Sequence, residues 1–117
     1  MRRIVVVEPG RPAYIAKIDD SLEAMQNIVG GLIEVATIFE DDVALICNEE
    51  GKLINLPPNR VLEDEDGNVL DIIHGTIFLI YAPQDSDNFE TLPANLLRKY
   101  ERKCKIPHVI SFRRREA

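Results

Sequence analysis

The chain has 117 residues, of which 45% are apolar and 29% charged, and its net charge is −6. That length fits one domain of the usual ~100–200 residues, large enough to bury a core without disulfides or metals. No stretch approaches the roughly 20 apolar residues of a membrane helix, and the run Ile4–Val7 ends at Glu8, too soon for a signal peptide.

Arg3 to Val7 is β-branched and reads as a buried strand. Pro9-Gly10 and Pro12 mark a turn, and Ala13 to Ile18 reads as the partner strand of a hairpin. Asp20, with Glu23 three residues on, predicts a helix cap, after which Leu22, Met25, Ile28 and Val29 fall on one helical face. Gly30-Gly31 stops that helix. Leu32 to Phe39 and Val43 to Asn48 read as strands. Glu49 to Lys52 reads as a hairpin turn, with Gly51 supplying a positive φ and Leu53 to Leu56 continuing the meander. Pro57-Pro58 breaks the ladder. Val61-Leu62 is a short strand, Glu63 to Asn68 an acidic hairpin loop, and Val69–Ile73 and Thr76–Tyr81 two further strands. Ala82 to Glu90 is a loop. Thr91 and Pro93 open a helix over 94–104, and Pro107 separates it from a last strand, His108 to Phe112. The order is ββα-βββββ-αβ: an α+β chain with a mainly antiparallel sheet and two helices. It forms one domain over 1–112 with a basic C-terminal end at 113–117.

Charge is unevenly distributed. Residues 96–117 carry eight basic and two acidic side chains, a net +6, which leaves −12 on residues 1–95. A basic end on an acidic body either stays solvated or meets an anion or an acidic face of another subunit. The overall acidity argues against nucleic acid as a partner. Nothing points to secretion, so Cys47 and Cys104 read as free thiols in a reducing cytoplasm; one long-range disulfide between them is the alternative.

Catalytic patterns are missing one by one. Reading a calcium loop from Asp64 puts Gly67 at the wrong position, between strands rather than helices. His74 and His108 lack metal-ligand spacing, so no metal and no cofactor are expected. Ser21, Ser86 and Ser111 sit in no nucleophile elbow, and there is no phosphate loop. Two segments stand out as binding candidates. Leu56-Pro57-Pro58-Asn59-Arg60 joins a rigid bend to an amide and a guanidinium fork that suits phosphate. The competing reading is an arginine paired with one of the many carboxylates. Ser111-Phe112-Arg113-Arg114-Arg115 joins an aromatic to three guanidiniums, able to stack on a base and hold a pyrophosphate; a frayed tail is the alternative. Phe89 and Asn95 flank the start of the second helix, where backbone N–H groups favour an anion; core packing competes for Phe89.

The runs Val7-Glu8-Pro9-Gly10, Val29-Gly30-Gly31, Asn48 to Leu53, Leu56 to Arg60, Asp71 to Thr76 and Leu92-Pro93 resemble a family of small domains. That family occurs in phages and mobile elements of Gram-positive bacteria and is largely of unknown function. Chain size and the arginine-rich end also resemble the first class of Thoeris anti-defence proteins. The resemblance implies a sponge: a homodimer or larger homo-oligomer that binds a cyclic ADP-ribose isomer, or a cyclic trinucleotide, and holds it without cleavage. Carried over residue by residue, it makes Asn59, Arg60, Asn95 and the C-terminal arginines Arg113 and Arg115 ligand contacts, with Phe89, Tyr81 and Phe112 competing to stack on the base. Such a protein is not an enzyme and works in the host bacterial cytoplasm. As a ligand contact, Arg60 could be replaced by alanine with little change in melting temperature. A second expectation is an acidic protein–protein inhibitor or DNA mimic, using the −12 body against a host defence protein or nuclease.

Overall fold

The computed structural model describes residues 1–115; Glu116 and Ala117, the last of the expected basic end, lie outside the described residues. The elements run β1 (Arg2–Val7), β2 (Tyr14–Ile18), α1 (Leu22–Val29), β3 (Ile33–Ala36), β4 (Val43–Asn48), β5 (Pro58–Asp64), β6 (Val69–His74), β7 (Ile77–Tyr81), α2 (Ala94–Lys103) and β8 (Val109–Phe112). The fold is α+β, with the expected order of elements. The described strands form a five-stranded sheet, β2-β1-β7-β4-β3, and a three-stranded sheet, β6-β5-β8. Pairing is antiparallel throughout, except that β8 lies parallel to β5.

The apolar runs of β1, β4 and β7 have no polar alternation because the large sheet is covered on both faces. Ile4, Val6, Ala44, Ile46, Phe78 and Ile80 point to one side, where Met25 and Val29 of α1 pack. Val5, Val7, Val43, Leu45, Ile77 and Leu79 point to the other. There they meet α2 through Leu97, Tyr100 and Cys104, and the small sheet through Leu62, Ile73, Ile110 and Phe112. The layers are therefore α1, the large sheet, and then α2 side by side with the small sheet.

Five local expectations need correcting. The cap of α1 is Ser21, whose hydroxyl accepts from Ala24 N at 3.1 Å, rather than Asp20, which forms an ion pair with Arg2. Leu22 is 54% exposed and leaves the buried face to Met25 and Val29. Residues 49–55 do not continue a meander: both edges of β4 are taken by β3 and β7, so this segment cannot pair back onto β4 and coils instead. Its positive φ belongs to Asn55, at 58°, not to Gly51. Gly51 serves close approach, since a Cβ there would stand 3.0 Å from the His74 carbonyl oxygen. Finally, the short strand expected at Val61-Leu62 is the seven-residue β5, the centre of the small sheet. It starts at Pro58, as suits a residue with no N–H to donate.

Candidate functional site

Arg60 is 1% exposed; both Nη groups of its guanidinium are bonded within the fold, while Nε is buried without a hydrogen-bond partner. Nη1 donates to the Glu8 carbonyl at 3.1 Å and to Asn59 Oδ1 at 2.7 Å; Nη2 donates to the Cys104 carbonyl at 3.1 Å and to the Arg11 carbonyl. No ion pair with a carboxylate engages it among the described residues. Burial lowers its pKa from the usual arginine value, yet an arginine so shifted stays charged at neutral pH. Carbonyl dipoles meet the charge instead, among them that of Cys104, which caps the C-terminus of α2 at the negative end of the helix dipole. Asn59, 5% exposed, donates through Nδ2 to the carbonyls of Val7 at 2.9 Å and Gly75 at 2.8 Å. Together the two side chains tie the turn after β1, the turn after β6 and the end of α2 to the start of β5. Their bonded donors face backbone carbonyls and, from Arg60 to Asn59 Oδ1, each other, not an open surface.

Phe112 is likewise a core residue, 3% exposed, with its ring edge-on to Phe39 at 5.0 Å between centroids. Phe89 is half-buried against the α1-side cluster, on the opposite face of the large sheet from Phe112. Asn95 is exposed at the second residue of α2. The expected constellation does not converge. Only its arginine end forms a local group.

That end is pinned rather than frayed. Glu40 N donates to the Arg113 carbonyl at 3.2 Å, Arg115 N donates to the Ile38 carbonyl at 3.0 Å, and Phe39 and Arg114 form a β-bridge. Arg115 Nε donates to the Phe39 carbonyl at 3.1 Å and Nη2 to the Asp41 carbonyl at 2.8 Å; Nη2 also reaches Asp42 Oδ1 at 3.2 Å. Arg113 Nε donates to Glu65 Oε2 at 3.1 Å. The 38–42 segment is fixed in turn by α2. Lys99 Nζ and Tyr100 Oη donate to Asp41 Oδ2 at 2.6 and 2.8 Å. Burial pushes the Asp41 carboxyl up, but the hydrogen bonds from Lys99 and Tyr100 outweigh it and hold the group below the usual carboxylate range. Desolvation and that same carboxylate raise the Tyr100 pKa. Glu40, Glu65, Arg113, Arg114 and Arg115 then line an open hollow of about 730 Å³. Glu40 and Glu65 are site residues that the sequence reading did not select.

A second cleft runs between the two sheets. A hollow of about 410 Å³ is lined by β3, β4, the 49–53 turn and β6, and it shares Glu34, Cys47, Asp71 and Ile73 with a neighbouring hollow of about 380 Å³. Cys47 Sγ lies 3.9 Å from Glu34 Oε2, and burial together with that carboxylate pushes the thiol up to about 11. Burial pushes Cys104 up to about 12. Both cysteines are free and buried, and neither has the depressed pKa of a nucleophilic thiol. Among the described residues no group of three or more His, Cys, Asp or Glu side chains is placed to hold a metal ion. The acidic 63–68 loop closes on itself as a hairpin turn. Asp64 Oδ1 accepts from the backbone N–H groups of Asp66 at 3.0 Å and Asn68 at 2.9 Å, and Gly67 supplies a φ of 82°. No helix among the described residues is long and apolar enough to cross a membrane.

No curated protein and no solved structure matches the chain. A family model does match, over residues 1–105, a span that ends before β8 and the three arginines. The chain belongs to that family, DUF3846, a domain of unknown function.

Proposed function

We propose that the protein is a non-catalytic binder that sequesters a phosphorylated nucleotide, of the cyclic ADP-ribose type, on its arginine face. In this reading it acts against a host immune signal, as the anti-defence proteins that the sequence resembles do. The observation that carries the proposal is the preorganisation of Arg113, Arg114 and Arg115, whose backbone is bridged to the 38–40 segment beside a hollow of about 730 Å³. Ligand sites commonly span about 300–1,000 Å³. A guanidinium already held in place loses little entropy when it takes up a pyrophosphate. Arg113 is bonded to Glu65 in an exposed ion pair. Such pairs contribute only about 0–1 kcal/mol, so a dianionic ligand displaces them readily. With Phe112 buried, stacking on the base falls to a guanidinium plane, for which Arg114 is the candidate. Holding such a ligand requires no general acid or base. The hollow is open on one side, and a second protomer closing over it completes the enclosure that tight retention needs.

This face lies beyond the matched residues 1–105, so the reading concerns this chain and not the family as a whole. Calorimetric titration with cyclic ADP-ribose isomers and cyclic trinucleotides tests it. Saturable binding is expected, weakened at least about tenfold in Arg113→Ala, with the ligand recovered intact after heat denaturation. Absence of binding for the whole panel rejects the proposal, and recovery of a cleaved product rejects its non-catalytic part.

A further inference from the structure

The inter-sheet cleft meets the arginine face at Arg114, which lines its smaller hollow, but is otherwise built from different residues and carries a different inference. It is lined by five consecutive residues of β6, Leu70 to His74. A strand that presents a face to a cavity contributes alternate residues, so an unbroken run means that β6 presents its edge. The sheet order agrees, because β6 is the terminal strand and pairs only with β5. The Ile72 N–H is accepted by Asp71 Oδ1 at 2.7 Å, and Gly51 packs against the His74 carbonyl, so both groups point away from β5 and into the cleft.

Open edges are usually guarded by proline, lysine or a covering element. β6 has neither proline nor lysine, and its outlying side chains Val69, Leu70 and Ile72 are 61%, 38% and 43% exposed. The 49–53 turn covers its His74 end, and the rest is guarded by Asp71, whose carboxylate also takes Lys52 in an ion pair with both side chains about half exposed. That guard is a weak one. Around the larger hollow stand the carboxylates of Glu34, Glu49, Glu50 and Asp71 against the single ammonium of Lys52. Beneath them Leu45, Leu62 and Ile73 form an apolar floor.

We propose that the cleft binds an extended, basic peptide segment of another protein, which adds to β6 as an antiparallel or parallel strand. Its carbonyl replaces the Asp71 carboxylate on the Ile72 N–H, its apolar side chains enter the floor, and its lysines or arginines meet Glu34 and the neighbouring acids. Main-chain pairing supplies affinity, and the alternate side chains supply the preference for charge.

The test uses the full chain and three acetylated, amidated hexapeptides: alternating Lys-Val, alternating Glu-Val, and Lys-Val N-methylated at alternate residues. Binding is read by fluorescence anisotropy and by amide shifts of the protein. The Lys-Val peptide should bind saturably and shift the amides of Ile72 and His74. The Glu-Val and N-methylated peptides should bind at least about tenfold more weakly. Ile72→Pro removes an outward N–H that bonds no other strand, together with the isoleucine side chain, and should abolish binding. Glu34→Gln, which leaves the edge intact, should weaken it several-fold, and Arg113→Ala should leave it unchanged. The proposal is overturned by no Lys-Val binding up to about 1 mM, by equal binding of the Glu-Val or N-methylated peptide, or by shifts that map outside the cleft. It is also overturned if sedimentation shows two copies of the chain pairing through β6, since the edge would then belong to a homodimer.

Discussion

Replacing Arg60 by alanine should destabilise the domain strongly. The change removes donors to the carbonyls of Glu8, Arg11 and Cys104 and to Asn59 Oδ1, at a site 1% exposed. Hydrogen bonds from a charged donor contribute roughly 1.5–3 kcal/mol each, and an abandoned buried acceptor loses about 1–3 kcal/mol. Burying a guanidinium without a carboxylate partner offsets part of that sum, as does water entering the vacated space. A net loss of about 3–4 kcal/mol results. With an unfolding entropy near 2.1 cal/mol/K per residue, each kcal/mol is worth roughly 4 °C in a chain of this length. Arg60→Ala should therefore melt about 12–16 °C lower by calorimetry or circular dichroism. Arg60→Lys should recover less than half of the loss, because one ammonium cannot span three segments that a fork reaches together. A drop of less than about 3 °C with the fold intact refutes the structural role and returns Arg60 to the surface.

Asp41→Asn should destabilise by about 1 kcal/mol at pH 7, a modest figure because the side chain is partly exposed. The folded pKa of Asp41 lies below its unfolded value, so its contribution is present above about pH 4 and fades as pH falls through the folded pKa. Denaturation of wild type and variant should accordingly converge in acid, and a gap that persists at pH 2 contradicts the assignment. Gly75→Ala should lose about 1–2 kcal/mol, since the position has a φ of 81° and a Cβ would stand 2.7 Å from Leu56 Cδ1. Gly10→Ala, at a φ of 72° but in open space, should lose less, and the reverse ranking rejects the steric argument. Neither Cys47 nor Cys104 should react quickly with a disulfide reagent in the native protein, and both should react once it is unfolded. A rapid native reaction at Cys47 would show that the inter-sheet cleft opens.

Elements whose signal is local were legible in the sequence. The runs at 4–7, 43–47 and 77–80 read as buried strands because both faces of the large sheet are covered, which removes polar alternation. Gly30 ended α1 as expected, with a φ of 80°. β5 was hidden for the converse reason. Pro58, Asn59, Arg60 and Asp64 look like loop chemistry, and only the fold shows that three of them are buried and hydrogen-bonded. The acceptors of Arg60 are backbone carbonyls 52, 49 and 44 residues away, which no residue type announces. The parallel pairing of β8 with β5 joins distant segments and leaves no local mark. The arginine run was visible as composition. Its anchoring to residues 38–42 was not, because most of those bonds also involve the backbone.

Calorimetric titration with cyclic ADP-ribose isomers, run in parallel on wild type, Arg113→Ala and Arg60→Lys, tests the sequestration proposal most directly. The account predicts saturable heat for at least one isomer, loss of affinity in Arg113→Ala at an unchanged melting temperature, and retained affinity in Arg60→Lys at a lowered one. Absence of heat for every isomer, or binding that depends on Arg60 but not on Arg113, would contradict it.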